Sequence, residues 1–338
     1  MSDAVRNVVR RLAVGERPDQ ADMGLAFGAI LAGEAEPALI AAFLTALSIR
    51  GESTDDIIAG AKALRSNVRR VAAPAGAVDT CGTGGLAWTS LNTSTAAAFV
   101  AAGAGAVVAK HGNRSRPPKT GSADVLEALG VNLTPSDAQL EASFREARLG
   151  FMFAPAHHSA MKYVAPVRNA LGIRTIFNLL GPLANPAGTT RQVLGVFDER
   201  WVEPYARALL SLGSERAWVV HGRDGMDEIS TTGPTIVAEI ADNGIRVFEL
   251  TPEDLGLARA SLDDLRGGSA ADNANALRNV LKGEPGPFAD LVAANAAAAL
   301  VVSGLAPDIR SGIALARKGI ASGGANAALE ALVRSSNG

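Results

Sequence analysis

Residues 78–85 read Val-Asp-Thr-Cys-Gly-Thr-Gly-Gly, and residues 92–95, Asn-Thr-Ser-Thr, open the small apolar run from Ala96 to Ala109. A short β-type stretch thus ends in glycines and is followed by a helix start. Further β-type runs follow the same rhythm: Val107–Ala109, Phe151–Phe153, Val193–Phe197 and Trp218–His221. Helical stretches fall between them, at Ser94–Ala102, Ala123–Leu129, Asp137–Arg148 and Trp201–Leu212. Strand–helix alternation predicts a mostly parallel sheet with helices on both faces. Ile236–Ile240 and Arg246–Leu250, separated by Asp242-Asn243-Gly244, read instead as an antiparallel hairpin. The stretch from Ala271 to Val333 is Ala-rich and helical.

Upstream of Ala73-Pro74 there is only helical periodicity. Ala4, Val5, Val8, Val9 and Leu12 share one face of a first helix. A second runs from about Asp19 to Leu31, and a third from Pro37 to Arg50, stopping at Gly51. The fourth starts at Ser53, with Asp56 completing a capping box, and turns Ile57, Ile58, Ala61, Leu64 and Val68 inward. The expected class is therefore α/β: a small all-helical domain at 1–72, then a large α/β domain at 73–338.

The 338 residues allow about two domains. With 48% apolar and 20% charged residues the chain can bury a large core, which excludes disorder. Aromatics are only 4%, so Ala, Val, Leu and Ile must build that core. The formal charge of −2 argues against a wholesale electrostatic grip on nucleic acid, although Arg65, Arg69, Arg70, Arg114, Arg116 and Lys119 could form a local patch. Cys81 is the one cysteine, so no internal disulfide forms. The N-terminus lacks a signal peptide's apolar run, and Ala96 to Ala109 is too short to span a bilayer. A cytoplasmic protein is expected.

In open α/β sheets ligands bind beyond the carboxyl ends of the strands. Glycines at 82, 84 and 85 allow backbone N–H groups close to a phosphate, and the helix opened by 92–95 adds its positive dipole end. The spacing matches neither the dinucleotide fingerprint nor the Walker A loop, and by itself such a segment is more often only a turn. Lys110-His111-Gly112-Asn113-Arg114-Ser115 places two cations, an imidazole, an amide and a hydroxyl after another strand. Alone it reads equally well as a solvated loop; the two segments together favour a polyanionic ligand. Asp227-Glu228 supplies the hard oxygens that Mg²⁺ takes beside phosphates, or else plain surface charge. Arg168 is a candidate fork for a planar carboxylate, or a surface ion pair. His157-His158 has no third ligand at zinc-site spacing.

Five segments in order carry a resemblance: Cys-Gly-Thr-Gly-Gly at 81–85, Asn-Thr-Ser-Thr at 92–95, Lys-His-Gly-Asn-Arg-Ser at 110–115, Gly-Pro-Leu-Ala-Asn-Pro at 181–186 and Asp-Glu-Ile-Ser at 227–230. From about residue 9 to residue 333 the chain resembles the anthranilate phosphoribosyltransferase family. The resemblance implies transfer of phosphoribose from phosphoribosyl diphosphate to the amino group of anthranilate, with Mg²⁺, in a homodimer contacting itself through the helical domain. It implies that a stretch near 169–190 returns to that domain. Gly82, Gly85, Leu86, Ser90, Asn92, Thr93, Ser94, Thr95, Lys110 and Ser122 would meet the donor. Ser94, Asp227 and Glu228 would hold Mg²⁺. Gly82, Asn113 and Arg168 would contact anthranilate, with His111, His158 and Pro182 along its channel. No acid or base catalyst is assigned, because an aryl amine is already unprotonated at neutral pH.

Leu86 stands where the family usually has Asp, Pro117-Pro118 where it has two serines, and Ser90 where it has Thr. The first two departures predict weakened donor binding. Two rival readings share this fold: a pyrimidine nucleoside phosphorylase, and a non-catalytic nucleic-acid-binding relative.

Overall fold

The computed structural model describes residues 2–85, 88–115 and 120–338. Leu86 and Pro117-Pro118, with Ala87, Arg116 and Lys119, lie outside the described residues. The chain opens with α1 (Ser2–Ala13), α2 (Gln20–Leu31), α3 (Pro37–Arg50) and α4 (Thr54–Ser66). Asp19 caps α2 by accepting from the Asp22 N–H, and Ser53 and Asp56 cap α4 reciprocally. Val68 does not share α4's inward face: the helix ends at Ser66, and Val68 sits half-buried beyond it.

The α/β portion runs β1 (Val78–Gly82), α5 (Thr93–Gly103), β2 (Val108–Gly112), α6 (Ser122–Ala128), α7 (Asp137–Ala147) and β3 (Leu149–Phe153). Short helices follow: α8 (Ala154–His157), α9 (Ala165–Leu171) and α10 (Phe177–Leu180). Then come β4 (Arg191–Gly195), α11 (Val202–Ser211), β5 (Arg216–Gly222), β6 (Thr235–Ala241) and β7 (Gly244–Leu250). Helices α12 (Ala270–Leu281), α13 (Pro287–Ser303), α14 (Ile309–Ala321) and α15 (Gly324–Asn337) complete the chain.

The sheet has the order β3-β2-β1-β4-β5-β6-β7, parallel from β3 to β5 and antiparallel from β5 onward. The hairpin turn differs from the expected three-residue spacer. Asp242 and Asn243 both take positive φ, 50° and 58°, and Gly244 already belongs to β7. A two-residue turn of that hand matches the right-handed strand twist.

Alternate residues of β4 and β5 divide two cores. Val193, Trp218 and Val220 face the cluster built on α5, α13 and α15; Leu194, Ala217 and Val219 face the other. Helix α13 is buried from Leu291 to Val302, as expected for a helix that is apolar all round. A Leu300→Ala cavity there would cost about 2–5 kcal/mol. The second cluster joins α1–α4 to Val164, Val167, Ile176, Phe177 and Leu180 and continues onto β4 and α11. Segment 160–184 therefore shares its core with the N-terminal helices.

Candidate active site

Strand order reverses at β1. The chain steps outward from β1 through β2 to β3, then returns to place β4 on the other side of β1. Such a switch point leaves a crevice beyond the carboxyl ends of the strands. A cleft of about 300 Å³ opens there, lined by the ends of β1, β2 and β4, the start of α5 and the loop after β5.

Both glycine-rich strand ends are needed for this geometry. A Cβ on Gly195 would fall 1.6 Å from the Asp227 carbonyl oxygen, so only glycine lets the loop after β5 cross the end of β4. That crossing delivers Asp227 to the glycine segment, where its Oδ2 accepts from the Gly84 N–H at 2.8 Å. Gly85 has φ 105°, and its carbonyl accepts from Arg174 Nη2 at 2.7 Å. Arg174 also stacks over Phe197, 4.1 Å from the ring centroid, and so ties the glycine loop to the segment packed on the helical region.

Lys110 forms the floor. It is buried, and its Nζ donates to the Thr80 carbonyl at 2.5 Å and to Ser94 Oγ at 3.3 Å. Burial lowers its pKa, and the Asp79 charge opposes that shift. Asp79 is also buried; it accepts from the His111 N–H at 3.1 Å and from Asn185 Nδ2 at 2.8 Å. The Asn185 amide donates to the Ala109 carbonyl as well, at 2.9 Å. Neither Asp79 nor Asn185 was among the sequence candidates. An aspartate inside a β-type run was the available signal, since a buried carboxylate requires a partner.

Glu228 and Asp227 form the opposite wall. Desolvation, then the neighbouring Asp227, pushes the Glu228 carboxyl up to about 8, which the Ser94 N–H offsets only in part. Asp227 is raised too, by burial first, with Gly84 opposing. Glu228 Oε2 is buried without a partner among the described residues. Two half-buried carboxylates lining the cleft with Ser94 are a donor set suited to Mg²⁺, which takes one or two carboxylates plus phosphate oxygens. The described residues hold no group of three acidic, histidine or cysteine side chains around one point, so substrate oxygens would have to complete such a shell.

Of the sequence candidates, Gly82, Gly85, Ser90, Asn92, Ser94, Lys110, His111, Asn113, Ser122, Asp227 and Glu228 line the cleft. Thr93 and Thr95 are buried in the first turn of α5 and do not. His158 stands one layer back, its Nε2 3.2 Å from that of His111. Burial first, then the neighbouring histidines, lowers His111 to about 3, and burial lowers His158 to about 4. Both rings are therefore neutral near pH 7, one Nε2–H donating to the other Nε2. Pro182 is also buried off the cleft, its carbonyl accepting from Gln192 Nε2 at 2.9 Å. Arg168 lies on α9 away from the lining; its Nη2 donates to Asn178 Oδ1 at 3.2 Å, and its guanidinium stands 5.9 Å from the Phe177 ring centroid.

Two members of the basic patch are paired with carboxylates. Arg114 pairs with Asp124 at 2.9 Å and Glu127 at 2.8 Å, and Arg69 pairs with Asp137 at 2.5 Å. Asp124 Oδ2 further accepts from the Gly121 N–H at 2.8 Å, holding the β2–α6 loop to its helix.

Residues 75–326 match the glycosyl transferase family a/b domain, and residues 6–68 match that family's helical bundle domain. The anthranilate phosphoribosyltransferase of Parvibaculum lavamentivorans is 54% identical over 333 residues, covering 98% of each chain. That of Rubrobacter xylanophilus is 53% identical, covering 98% of this chain and 97% of its own. Among solved structures, the Thermus thermophilus anthranilate phosphoribosyltransferase matches with TM-score 0.92 at 44% identity, covering 98% of this chain and 99% of its own. The Saccharomyces cerevisiae enzyme in complex with PRPP and Mg matches with TM-score 0.89 at 27% identity, covering 98% of each chain. Family model, full-length relatives and structural neighbours agree, and the chain belongs to the anthranilate phosphoribosyltransferase family.

Proposed function

We propose that this chain transfers the 5-phosphoribosyl group of phosphoribosyl diphosphate to the anthranilate amino group, releasing diphosphate, in tryptophan biosynthesis. The observation that carries the reading is the half-buried Asp227–Glu228 pair facing Lys110 and the start of α5 across one cleft. Mg²⁺, bound with the diphosphate, would supply positive charge as the leaving group becomes more anionic. The Gly82–Gly85 turn and the positive dipole end of α5 face the cleft where phosphate oxygens would bind, the Gly84 N–H being held by Asp227. Lys110, fixed between Thr80 and Ser94, adds a cation that needs no reorganisation during reaction. Asp227 and Glu228 hold the metal side of the ligand, with Ser94 beside them.

The acceptor reaches the anomeric carbon as a neutral amine, so the protein must orient it rather than deprotonate it. Asn113 and the neutral His111 offer hydrogen bonds at the cleft, and Arg168 would bind the carboxylate once α9 and the cleft approach one another. The residue roles and the division into a helical domain at 1–72, rejoined near 169–190, and an α/β domain at 73–338 belong to this proposal. So does a homodimer through the helical face, where Val14, Leu25 and Ile49 are exposed. No helix is long and apolar enough to cross a membrane among the described residues. A cytoplasmic location is proposed on the same biosynthetic reading.

The test is a fluorimetric assay following loss of anthranilate emission with phosphoribosyl diphosphate and Mg²⁺. Turnover that stops on chelation supports the reading. Thymidine phosphorolysis without anthranilate turnover would replace it with the phosphorylase reading. An oligonucleotide shift without either activity would favour the nucleic-acid-binding relative.

A further inference from the structure

At the opposite, amino-terminal end of the strands lies a second polar cavity, about 130 Å³, where Thr190 leads into β4 and Ser214 leads into β5. Arg65 of α4 and Arg70 just beyond that helix reach it from the helical region. Arg65 is anchored: its Nε donates to the Leu183 carbonyl at 2.6 Å and its Nη1 to the Leu212 carbonyl at 3.0 Å. Its Nη2 donors remain beyond those two bonds. Arg70 lies over Gly188, whose φ of 62° presents bare backbone; a Cβ there would stand 3.2 Å from Arg70 Nη1.

The charges of this cavity do not balance. Among the described residues neither Arg65 nor Arg70 has a carboxylate within ion-pair distance. Glu215, adjacent in sequence, is paired with Arg191 at 3.4 Å. Burial first and the Arg70 charge second depress the Arg65 pKa. Two hydroxyls on the lining, Ser214 Oγ and Thr189 Oγ1, are buried without a hydrogen-bond partner among the described residues. Ser214 is only 5% exposed, so bulk water does not satisfy it. Buried polar groups are normally hydrogen-bonded, and like charges brought together without a counter-ion are destabilising. Two guanidinium groups and two orphan hydroxyls in a small cavity are the complement of one compact, multiply charged oxyanion.

We propose that this cavity binds a phosphate-type oxyanion at a site separate from the cleft, bridging α4 to the amino ends of β4 and β5. Arg65 and Arg70 supply charge and directional donors; Ser214 and Thr189 donate to the remaining oxygens. A planar carboxylate would use the guanidinium groups but leave a hydroxyl unmatched, which favours a tetrahedral group. Free phosphate and one end of diphosphate share that chemistry.

The experiment is thermal unfolding of the full-length protein against inorganic phosphate, with chloride at matched ionic strength, for wild type, Arg70→Ala and Ser214→Ala. The cleft is untouched by both substitutions, so any phosphate it binds contributes equally to all three proteins. The expected result is a saturable rise in wild-type Tm whose midpoint moves roughly 10- to 100-fold higher in phosphate for Arg70→Ala, and less for Ser214→Ala. In phosphate-free buffer Arg70→Ala should melt no lower than wild type, because relief of arginine–arginine repulsion offsets the lost side chain. A parallel titration with diphosphate identifies which source binds more tightly. Identical phosphate curves for wild type and Arg70→Ala, or an equal rise with chloride, would overturn the proposal.

Discussion

The floor and the far wall of the cleft solve opposite electrostatic problems. On the floor, Lys110 and Asp79 are both buried, yet each has the other's charge nearby and a full set of backbone or amide partners. On the wall, Asp227 and Glu228 carry like charge, both are raised by burial, Glu228 further by Asp227, and one Glu228 oxygen has no partner among the described residues. The floor is complete as protein; the wall is complete only with a cation. A self-balanced pair can serve as a rigid support, whereas an unbalanced pair stores the affinity that a metal–diphosphate ligand releases.

The sharpest way to break this comparison is the double change Asp227→Asn with Glu228→Gln. Amides keep the shape but cannot hold a hard cation, so Mg²⁺-dependent turnover should fall by about 10³-fold or more. Stability should move the other way. A carboxyl with a folded pKa of about 8 against an ordinary 4.5 binds its proton more tightly in the native state. Its contribution is present at low pH and is lost as pH rises from about 4.5 through about 8. His111 and His158, depressed below the ordinary 6.5, act in the opposite sense at lower pH, so metal-free wild type should melt progressively lower from about 6.5 to about 8, and Glu228→Gln alone should flatten that slope. Saturating Mg²⁺ with diphosphate should do the same in wild type. A pH-independent Tm in metal-free wild type would show that Glu228 is not held in its protonated form.

Breaking the floor should cost folding before it costs chemistry. Asp79→Ala strands Lys110 as an uncompensated buried cation, an effect of about 3–5 kcal/mol. Urea unfolding should show it as a lowered midpoint at unchanged slope. Asp79→Asn keeps shape but not charge and should fall between. A midpoint within experimental error of wild type for Asp79→Ala would mean that Lys110 is stabilised mainly by Thr80 and Ser94.

The same contrast explains what could be read from the chain. The wall was legible because Asp227-Glu228 and Ser94 sit in recognisable segments, and the glycines mark where backbone must pass closely. Helix ends were legible because Asp19, Ser53 and Gly51 act on neighbours a few residues away. The floor was not. Asp79 meets Asn185 across 106 positions, and Gln192 reaches Asp79 only because β4 returns beside β1. Arg174 binding Gly85 depends likewise on the fold bringing together residues 89 positions apart. Pairings of this kind arise from topology, to which local periodicity is blind. Val68 and the Asp242-Asn243 turn failed for the opposite reason: a helix end and a turn hand are decided by one residue's φ and ψ.

Arg168→Ala sharpens the comparison on the acceptor side. Losing a charge-assisted bond to the anthranilate carboxylate should raise its KM about 10- to 150-fold while leaving that for phosphoribosyl diphosphate nearly unchanged. Because Arg168 also contacts Asn178 and Phe177, unfolding must be followed in parallel. Equal effects on both substrates would remove Arg168 from the acceptor site.

The smallest expected effect concerns Leu86 and Pro117-Pro118, which interrupt the family pattern beside residues that line the cleft, Gly85 on one side and Ser115 and Thr120 on the other. Proline has no backbone N–H, and leucine offers no acceptor, so on the proposed reading these positions give the donor fewer polar partners. The Parvibaculum lavamentivorans relative, 54% identical, matches over 98% of the chain, so on the proposed reading these changes would adjust donor binding within the family's architecture. Wild type should then show a raised KM for phosphoribosyl diphosphate with steep salt dependence, since the remaining grip is more purely charge–charge. Leu86→Asp with Pro117→Ser and Pro118→Ser should lower that KM by roughly tenfold, the worth of one added bond to a charged ligand, and flatten the salt dependence. An unchanged KM in the restored variant would place the whole donor grip on Lys110, the glycine turn and the Asp227–Glu228 wall, making the compensated floor and the metal-requiring wall sufficient by themselves.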